Sequence, residues 1–436
     1  MSSAPVSLTL GDDPAHLKYN DGGFYILADR HGAVDGHHDR GKIMSQDSVV
    51  IVNGARTPMG GFQGSLAPVT APTLGAAAIR EAVARAGLKA TDIEDVVMGC
   101  VLPAGLKQGP ARQAMRQAGL PDSTGATTVN KLCGSGMRAT MFGHDMIKAG
   151  SHDIVVTGGM ESMTNAPYVL DKARSGLRMG HGQIHDHMFL DGLEDAETGR
   201  LMGSFAQEVA DQRGITREQM DAFAIESLKR AQTAIEQGWF KDEIVPVTVT
   251  TRKGEVVVDT DEQPGNANID KIPNLKPAFK KDGTVTAANA SSISDGASAL
   301  VLARESVATE RGLQPMARIL GHATNSRHPS EFTVAPIGAT EKLLKKVGWS
   351  VDDVDLFEIN EAFAMVAMLP MIDLGIPHDK LNIHGGACAL GHPIGSTGSR
   401  IILTLIHALK RTGGKRGVAS LCIGGGEATA VAIELL

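Results

Sequence analysis

The strongest constraint on the fold is that the chain repeats itself. Ala86-Gly87-Leu88-Lys89-Ala90-Thr91-Asp92-Ile93-Glu94-Asp95-Val96 has a counterpart in Val347-Gly348-Trp349-Ser350-Val351-Asp352-Asp353-Val354-Asp355-Leu356-Phe357. The same register sets Cys133-Gly134-Ser135 against Ile394-Gly395-Ser396, each at the start of a predicted helix. A third match pairs Gly158-Gly159-Met160-Glu161 with Gly424-Gly425-Gly426-Glu427. Chance explains one such match easily and three in order poorly, and self-similarity of this kind marks a duplicated unit. Two copies imply a pseudo-twofold molecule with its switch regions facing each other, where ligands prefer to bind.

The unit itself reads as α/β, because short apolar strands alternate with amphipathic helices. Strands are predicted over 49–52, 95–98, 127–129 and 154–156, and helices over 73–86, 112–118, 135–149 and 398–409. The stretch 165–285 differs: it is charged and turn-rich, with helices predicted over 205–213 and 217–237. It reads as an insertion lying over the crevice, and Lys172, Arg174, Arg178, Lys229 and Lys280 are its candidates for holding phosphate. The halves are then 45–164, completed by 286–315, and 316–436. Residues 1–44 are rich in Gly, Asp and His and lack a signal-peptide pattern. Met44 stands just before the first strand, so this leader is expected to be disordered or foreign to the natural chain.

Composition removes several function classes. A net charge of −7 offers no nucleic-acid footprint. No apolar run reaches membrane-spanning length, so no membrane insertion is expected. Four cysteines, Cys100, Cys133, Cys388 and Cys422, show neither disulfide nor zinc spacing, which predicts a cytoplasmic protein.

Chemistry concentrates at the repeat's joints. Cys133 lies between a strand end and a helix start, where unpaired N–H groups and the helix dipole favour thiolate over thiol. Under the repeat, His392 sits ahead of the equivalent helix, with Pro393 placed for the first helical turn. Asn360 and Cys422 end strands of the second half, and Asn360 suits either a helix cap or a water-orienting role. All four side chains are thereby expected in one crevice. A cysteine with a histidine base makes a thiolate nucleophile. A second cysteine, neither paired nor metal-bound, suits proton transfer. The His181-Gly182-Gln183-Ile184-His185-Asp186-His187-Met188 segment lacks helical ligand spacing, and no metal is expected.

These motifs carry a family resemblance. Asn130-Lys131-Leu132-Cys133-Gly134-Ser135-Gly136, Asn360-Glu361-Ala362-Phe363, Gly391-His392-Pro393-Ile394-Gly395 and Cys422-Ile423-Gly424-Gly425-Gly426 resemble the thiolases. The likeness is to those of the acetyl-CoA acetyltransferase or 3-ketoacyl-CoA thiolase type. Arg56-Thr57-Pro58 and Asn289-Ala290-Ser291 agree, and the likeness runs from about Ser45 to Leu436. It implies duplicated βαβαβαββ halves in a layered α/β/α/β/α core with an inserted loop domain.

It also implies a ping-pong, reversible cleavage and condensation of 3-ketoacyl-CoA, here acetoacetyl-CoA with CoA giving two acetyl-CoA, with acyl-CoA and CoA as substrates and no cofactor. Cys133 is the implied acyl carrier, His392 its base, and Cys422 the proton acceptor and donor. Asn360 holds an oxyanion-hole water, the Gly424 N–H joins the other oxyanion hole, and Ser291 contacts the pantetheine arm. A role in fatty-acid metabolism and self-association as a dimer or dimer of dimers, a homotetramer, are further implications.

Two departures bear on specificity. Gly265 follows Pro264 where the family often has an arginine that holds CoA phosphate. Glu331-Phe332-Thr333-Val334-Ala335-Pro336 replaces a Met-Gly-x-Gly-Pro segment of short-chain members. A longer-chain 3-ketoacyl-CoA thiolase is therefore the alternative reading. A ketoacyl synthase is disfavoured by Cys422 and the Gly-His-Pro segment, and a non-catalytic CoA- or lipid-binding protein by the presence of all four catalytic residue types.

Overall fold

The computed structural model describes residues 47–436; the predicted leader lies outside the described residues. The first half contributes β1 (Val49–Arg56), α1 (Ala71–Arg85), β2 (Asp95–Gly99), α2 (Pro110–Gln117), β3 (Gly125–Val129), α3 (Ser135–Lys148) and β4 (Ile154–Ser162). The chain then leaves the sheet for the segment holding α4 (Met202–Arg213) and α5 (Arg217–Glu236), and returns as β5 (Ser294–Arg304). The second half runs β6 (Ala317–Ser326), α6 (Ala335–Val347), β7 (Leu356–Ile359), α7 (Ala364–Leu374), α8 (Thr397–Thr412), β8 (Arg416–Ile423) and β9 (Glu427–Leu435). Strands outrun their apolar runs because glycine and polar residues continue the ladders; β4 keeps Gly158 to Ser162 fully in strand.

Strand order is β3-β2-β4-β5-β1 in one half and β7-β8-β9-β6 in the other. In each, the second strand runs parallel to the fourth and the last runs antiparallel. The third strand of the second half is reduced to one bridge, Phe357 to Leu381. The Asn382 side chain takes over its pairing, exchanging bonds with the Ile359 N–H and C=O at 2.8 Å. The two sheets are continuous, since β1 pairs antiparallel with both β5 and β6.

Equivalent turns confirm the register of the first repeat match. Asp92 accepts from the Lys89 N–H at 2.7 Å, and Asp353 from the Ser350 N–H at 2.8 Å. The third match does not survive. Asp95 pairs with Val155 and its counterpart Leu356 with Gly417, so Gly158 to Glu161 correspond to Ser420 to Ile423 inside the strand. Gly424 to Gly426 instead form the turn into β9, and the first half carries its long insertion at that point.

Burial shows why the layers stack. Leu74, Ile79, Ala114 and Met115 of α1 and α2 pack with Val50, Val96 and Val156 on one sheet face. Leu343 and Ala367 of α6 and α7 pack with Phe357, Ile359 and Val418 at the other end of the sheet. Between the halves, Met137 and Met141 of α3 and Ile401 and Leu405 of α8 meet strand residues of both, including Ile51, Leu300, Leu421 and Val431. This is the expected α/β/α/β/α order. Helix α8 is buried from Thr397 through Leu409, as a middle-layer helix must be.

The two central helices cross at their first turns. A Cβ on Gly398 would stand 2.2 Å from the Met137 nitrogen, and one on Gly136 2.7 Å from Ser399 Oγ. No side chain fits either place. Gly398→Ala should therefore destabilise the protein by about 3 kcal/mol or more, at or beyond the upper end for core overpacking. Calorimetry should show a melting-temperature loss of several degrees, whereas Gly265→Ala, with open space around it, should show none.

Candidate active site

The Cys133 joint is a tight turn built by its own neighbours. The Asn130 side chain accepts the Leu132 N–H at 2.9 Å, and Ser135 Oγ accepts the Lys131 N–H at 2.8 Å. Leu132 is held at φ 48°, a left-handed conformation that costs an L residue roughly 1–2 kcal/mol. Such strain collects at functional sites. Gly134 caps α3 and lets Ile423 approach, since a Cβ there would lie 2.4 Å from its Cδ1. The turn thus presses against the end of β8. Burial raises the Cys133 thiol pKa, and the backbone N–H groups of Gly424 and of Cys133 itself partly offset that rise.

The second joint is the loop from Gly391 to Ser396. Helix α8 begins at Thr397, so Pro393 lies before the helix rather than in its first turn. The loop is seated on Gly99 and Gly159, whose missing side chains admit the Gly395 carbonyl; a Cβ on Gly159 would be 1.8 Å from that oxygen. Its Ile394 packs with Leu132 and Cys133. Within the loop, Thr397 Oγ1 donates to the Pro393 carbonyl at 3.0 Å and lies 2.7 Å from His392 Nδ1. A hydroxyl has one proton. Thr397 must therefore accept from Nδ1–H, which leaves the buried Nε2 as a lone pair without a protein partner.

Strand ends supply the rest. Cys422 is fully buried, and that burial, followed by charge on Cys133, pushes its thiol pKa well up. Asn360 is 1% exposed, and neither its Oδ1 nor its Nδ2 has a protein partner. It does not cap α7, which starts at Ala364 behind Phe363. The Ser291 N–H donates to the Ala362 carbonyl at 2.9 Å, which holds the Asn289-Ala290-Ser291 segment alongside Asn360. The insertion flanks this group: Met188 and Phe189 join the apolar cluster around Cys133, and Met202 approaches Gly424. Its basic residues are less engaged. Lys280 pairs with Asp211, while Lys172, Arg174, Arg178 and Lys229 are exposed.

Several supporting residues escaped sequence reasoning. Glu161 is fully buried and accepts N–H groups from Val101, Leu102 and Gly395 at 2.9–3.1 Å, tying both halves' loops to one carboxylate. Burial pushes its pKa up to about 7. Glu361 accepts from Ser227, Asn382 and Cys388, fixing the turn that carries Asn360. Arg56 bonds Glu243 at 2.8 Å and Asp261 at 2.7 Å, anchoring the insertion to β1. A lone acidic residue beside glycines was the only signal for Glu161. For Thr397 it was a hydroxyl at a helix start, five positions after the histidine.

Burial also decides the resting protonation. It pushes the Cys133 thiol up to about 11 and lowers His392 to about 3. The rise from 9.0 corresponds to roughly 3 kcal/mol, more than the ~0.3–1 kcal/mol that a helix terminus supplies. Against the expected preference for thiolate, the direction of both shifts favours thiol and neutral imidazole. Cys133 is half-buried, and His392, whose Nε2 lone pair has no protein partner, stands two residues before Ile394, which packs with Cys133.

Residues 49–306 match the sequence profile of the thiolase N-terminal domain, and residues 313–435 that of the thiolase C-terminal domain. The chain belongs to the thiolase family. An acetyl-CoA acetyltransferase of Chromobacterium violaceum is 48% identical over 388 residues, covering 88% of this chain and 99% of that protein. The Bacillus anthracis acetyl-CoA acetyltransferase structure superposes with a TM-score of 0.87 at 42% identity, over 89% of this thiolase and 99% of that chain. A thiolase from Ascaris suum, solved in complex with coenzyme A, gives 0.85 at 41% identity, over 89% and 100%.

Two outcomes follow from this geometry. With a thiol pKa near 11, alkylation of Cys133 by iodoacetamide should accelerate about tenfold per pH unit from 7 to 10. A plateau near neutrality would reveal a preformed thiolate–imidazolium pair. Thr397→Val removes the Nδ1–H acceptor and should lower kcat by about 10–100-fold, while Thr397→Ser keeps most activity. Equal losses in both variants would refute the tautomer assignment.

Proposed function

We propose that this thiolase catalyses the reversible cleavage of acetoacetyl-CoA by CoA to two acetyl-CoA through an acyl-cysteine. What supports the proposal is that the end of β8, which carries Cys422 and Gly424, packs against the Cys133 turn, while Ile394, two residues after the oriented His392, packs with Cys133. In thiolysis, Cys133 Sγ attacks the 3-keto carbonyl as His392 Nε2 takes the thiol proton. The carbonyl oxygen gathers charge facing the N–H groups of Cys133 and Gly424, where one donor is worth about 10²–10³ in rate. The Cα–Cβ bond then breaks, leaving acetyl on Cys133 and the enolate of acetyl-CoA. Cys422 gives that enolate its proton, while Asn360, through a water, and His392 hold its oxygen. Free CoA next attacks the acetyl-enzyme, its thiol proton passing to Cys422 while His392 returns its proton to the departing Cys133 sulfur, so acetyl-CoA leaves and both cysteines end as thiols. Condensation reverses each step.

Thioester exchange is complete with sulfur chemistry alone, so the reading needs no metal or redox cofactor and coenzyme A enters as substrate. Ser291 is assigned to the pantetheine arm.

A cytoplasmic place in fatty-acid metabolism belongs to the same proposal, supported by four unpaired cysteines. Among the described residues no helix is long and apolar enough to cross a membrane. Self-association as a dimer or tetramer is supported by the hairpin Tyr168–Leu170 with Ile184–Asp186. It exposes Tyr168, Ile184 and Met179 at 65%, 67% and 96%, an apolar set suited to a second copy of the chain.

Cys133→Ser should lower thiolysis at least roughly 10³-fold and abolish acetyl-enzyme trapping. Cys422→Ser should slow exchange of the acetyl-CoA α-protons more than acylation by acetyl-CoA; equal losses in both steps would overturn the division of labour. Gly265→Arg restores the family's phosphate-side arginine in open space. It should lower KM for CoA by about three- to tenfold at unchanged kcat, within the energy of one exposed charge-assisted contact.

A further inference from the structure

Beyond the candidate active site, α3 carries a second chemical group on its outward side. His144 Nδ1 lies 2.9 Å from Asp145 Oδ1, and His322 Nε2 of β6 lies 2.9 Å from the same oxygen. The two imidazole rings meet edge to face, with centroids 5.1 Å apart and planes at 88°. Their side chains are only 13% and 14% exposed, while Asp145 opens to solvent at 57%. Among the described residues, this is the one group of three ligand-type side chains whose donor atoms converge, all within 4.8 Å. The histidine-rich 181–187 stretch does not form one; His187 is engaged by Asp191 at 2.6 Å.

We propose that His144, Asp145 and His322 form a binding site for a divalent transition-metal ion of the zinc type. Two imidazoles and one carboxylate match the donor preference of zinc, nickel and cobalt rather than of magnesium or calcium. Zinc–nitrogen bonds of about 2.0–2.1 Å set neighbouring ligand atoms a little over 3 Å apart; each ring nitrogen already lies 2.9 Å from the shared carboxylate oxygen, and the three donor atoms all lie within 4.8 Å of one another. Perpendicular rings approach a shared point from two directions, as tetrahedral or octahedral coordination needs. Without metal, both facing ring nitrogens carry the N–H that bonds Asp145. On binding, each ring moves that proton to its other nitrogen by exchange with water, and the ion takes the two freed lone pairs with the carboxylate. Water fills the remaining positions through the exposed Asp145 side.

The placement gives the ion a structural role. His144 and Asp145 belong to the first half and His322 to the first strand of the second. A bound ion would staple α3 to β6 about 14 Å along the helix from its start beside Cys133. It would raise stability in proportion to its occupancy.

The test uses the full-length enzyme after dialysis against a chelator. Calorimetric titration with Zn²⁺ should show a saturable site of one ion per chain, and added metal should raise the melting temperature. Titration with Co²⁺ should give visible bands of nitrogen and oxygen ligation without the ultraviolet thiolate-to-cobalt band, which separates this site from the four cysteines. His322→Gln and His144→Gln should each weaken binding at least about tenfold, the lower end of what even outer-sphere changes produce. Their thiolysis rates in chelator should stay at wild-type level, which shows that the variants are folded. The proposal is overturned by three results: no saturable binding, a thiolate band as the cobalt signature, or undiminished binding in the double variant.

Discussion

The crossing of α3 over α8 at Gly136 and Gly398 is the contact on which the rest of the molecule depends. Two helices approach this closely only where neither carries a side chain at the crossing. The crossing lies in the first turn of each helix, so the two preceding loops are carried to the same point. One loop brings Cys133 and the other His392. The pseudo-twofold relation between the halves thus becomes a pair of different chemical groups at one place, and the sheet continuous through β1 and β6 holds the frame.

Buried charge then positions what the crossing assembles. Glu161 gathers three backbone N–H groups from two loops, Glu361 clamps the turn carrying Asn360, and Arg56 fastens the insertion through Glu243 and Asp261. Each buried charge is costly alone and tolerable when its hydrogen bonds are filled. Among the described residues, the buried side-chain atoms without a protein partner include His392 Nε2 and both ends of the Asn360 amide, together with others away from them such as Glu243 Oε2 and Arg400 Nε.

The duplication and the identity of the reactive residues are legible in the sequence. Their types, a cysteine beside glycines, a Gly-His-Pro loop and a cysteine ahead of three glycines, carry the chemistry in the residues themselves. Cys133 lies in the turn ahead of α3 and His392 in the loop ahead of α8, Cys422 and Gly424 lie at the end of β8, and Asn360 follows β7 with Ser291 held to nearby Ala362. Less legible is the repeat at its far end. Glycine runs look alike in sequence whether they continue a strand, as Gly158 and Gly159 do, or turn it, as Gly424 to Gly426 do. Only strand pairing separates the two. Thr397 and Glu161 escape notice for a related reason, since what gives each its role is a set of contacts across loops that residue order does not display.

By itself the sequence determined the α/β alternation, the two-copy plan and the set of reactive side chains, because periodicity and residue chemistry are local properties. Tertiary structure decided how those side chains behave. The helix start at Cys133 argues for a thiolate, yet burial between two halves raises the thiol to about 11 and keeps His392 neutral. Desolvation depends on everything packed around a group, and no stretch of sequence contains its own surroundings. The same holds for the tautomer of His392, set by a hydroxyl whose single proton is already committed to the Pro393 carbonyl.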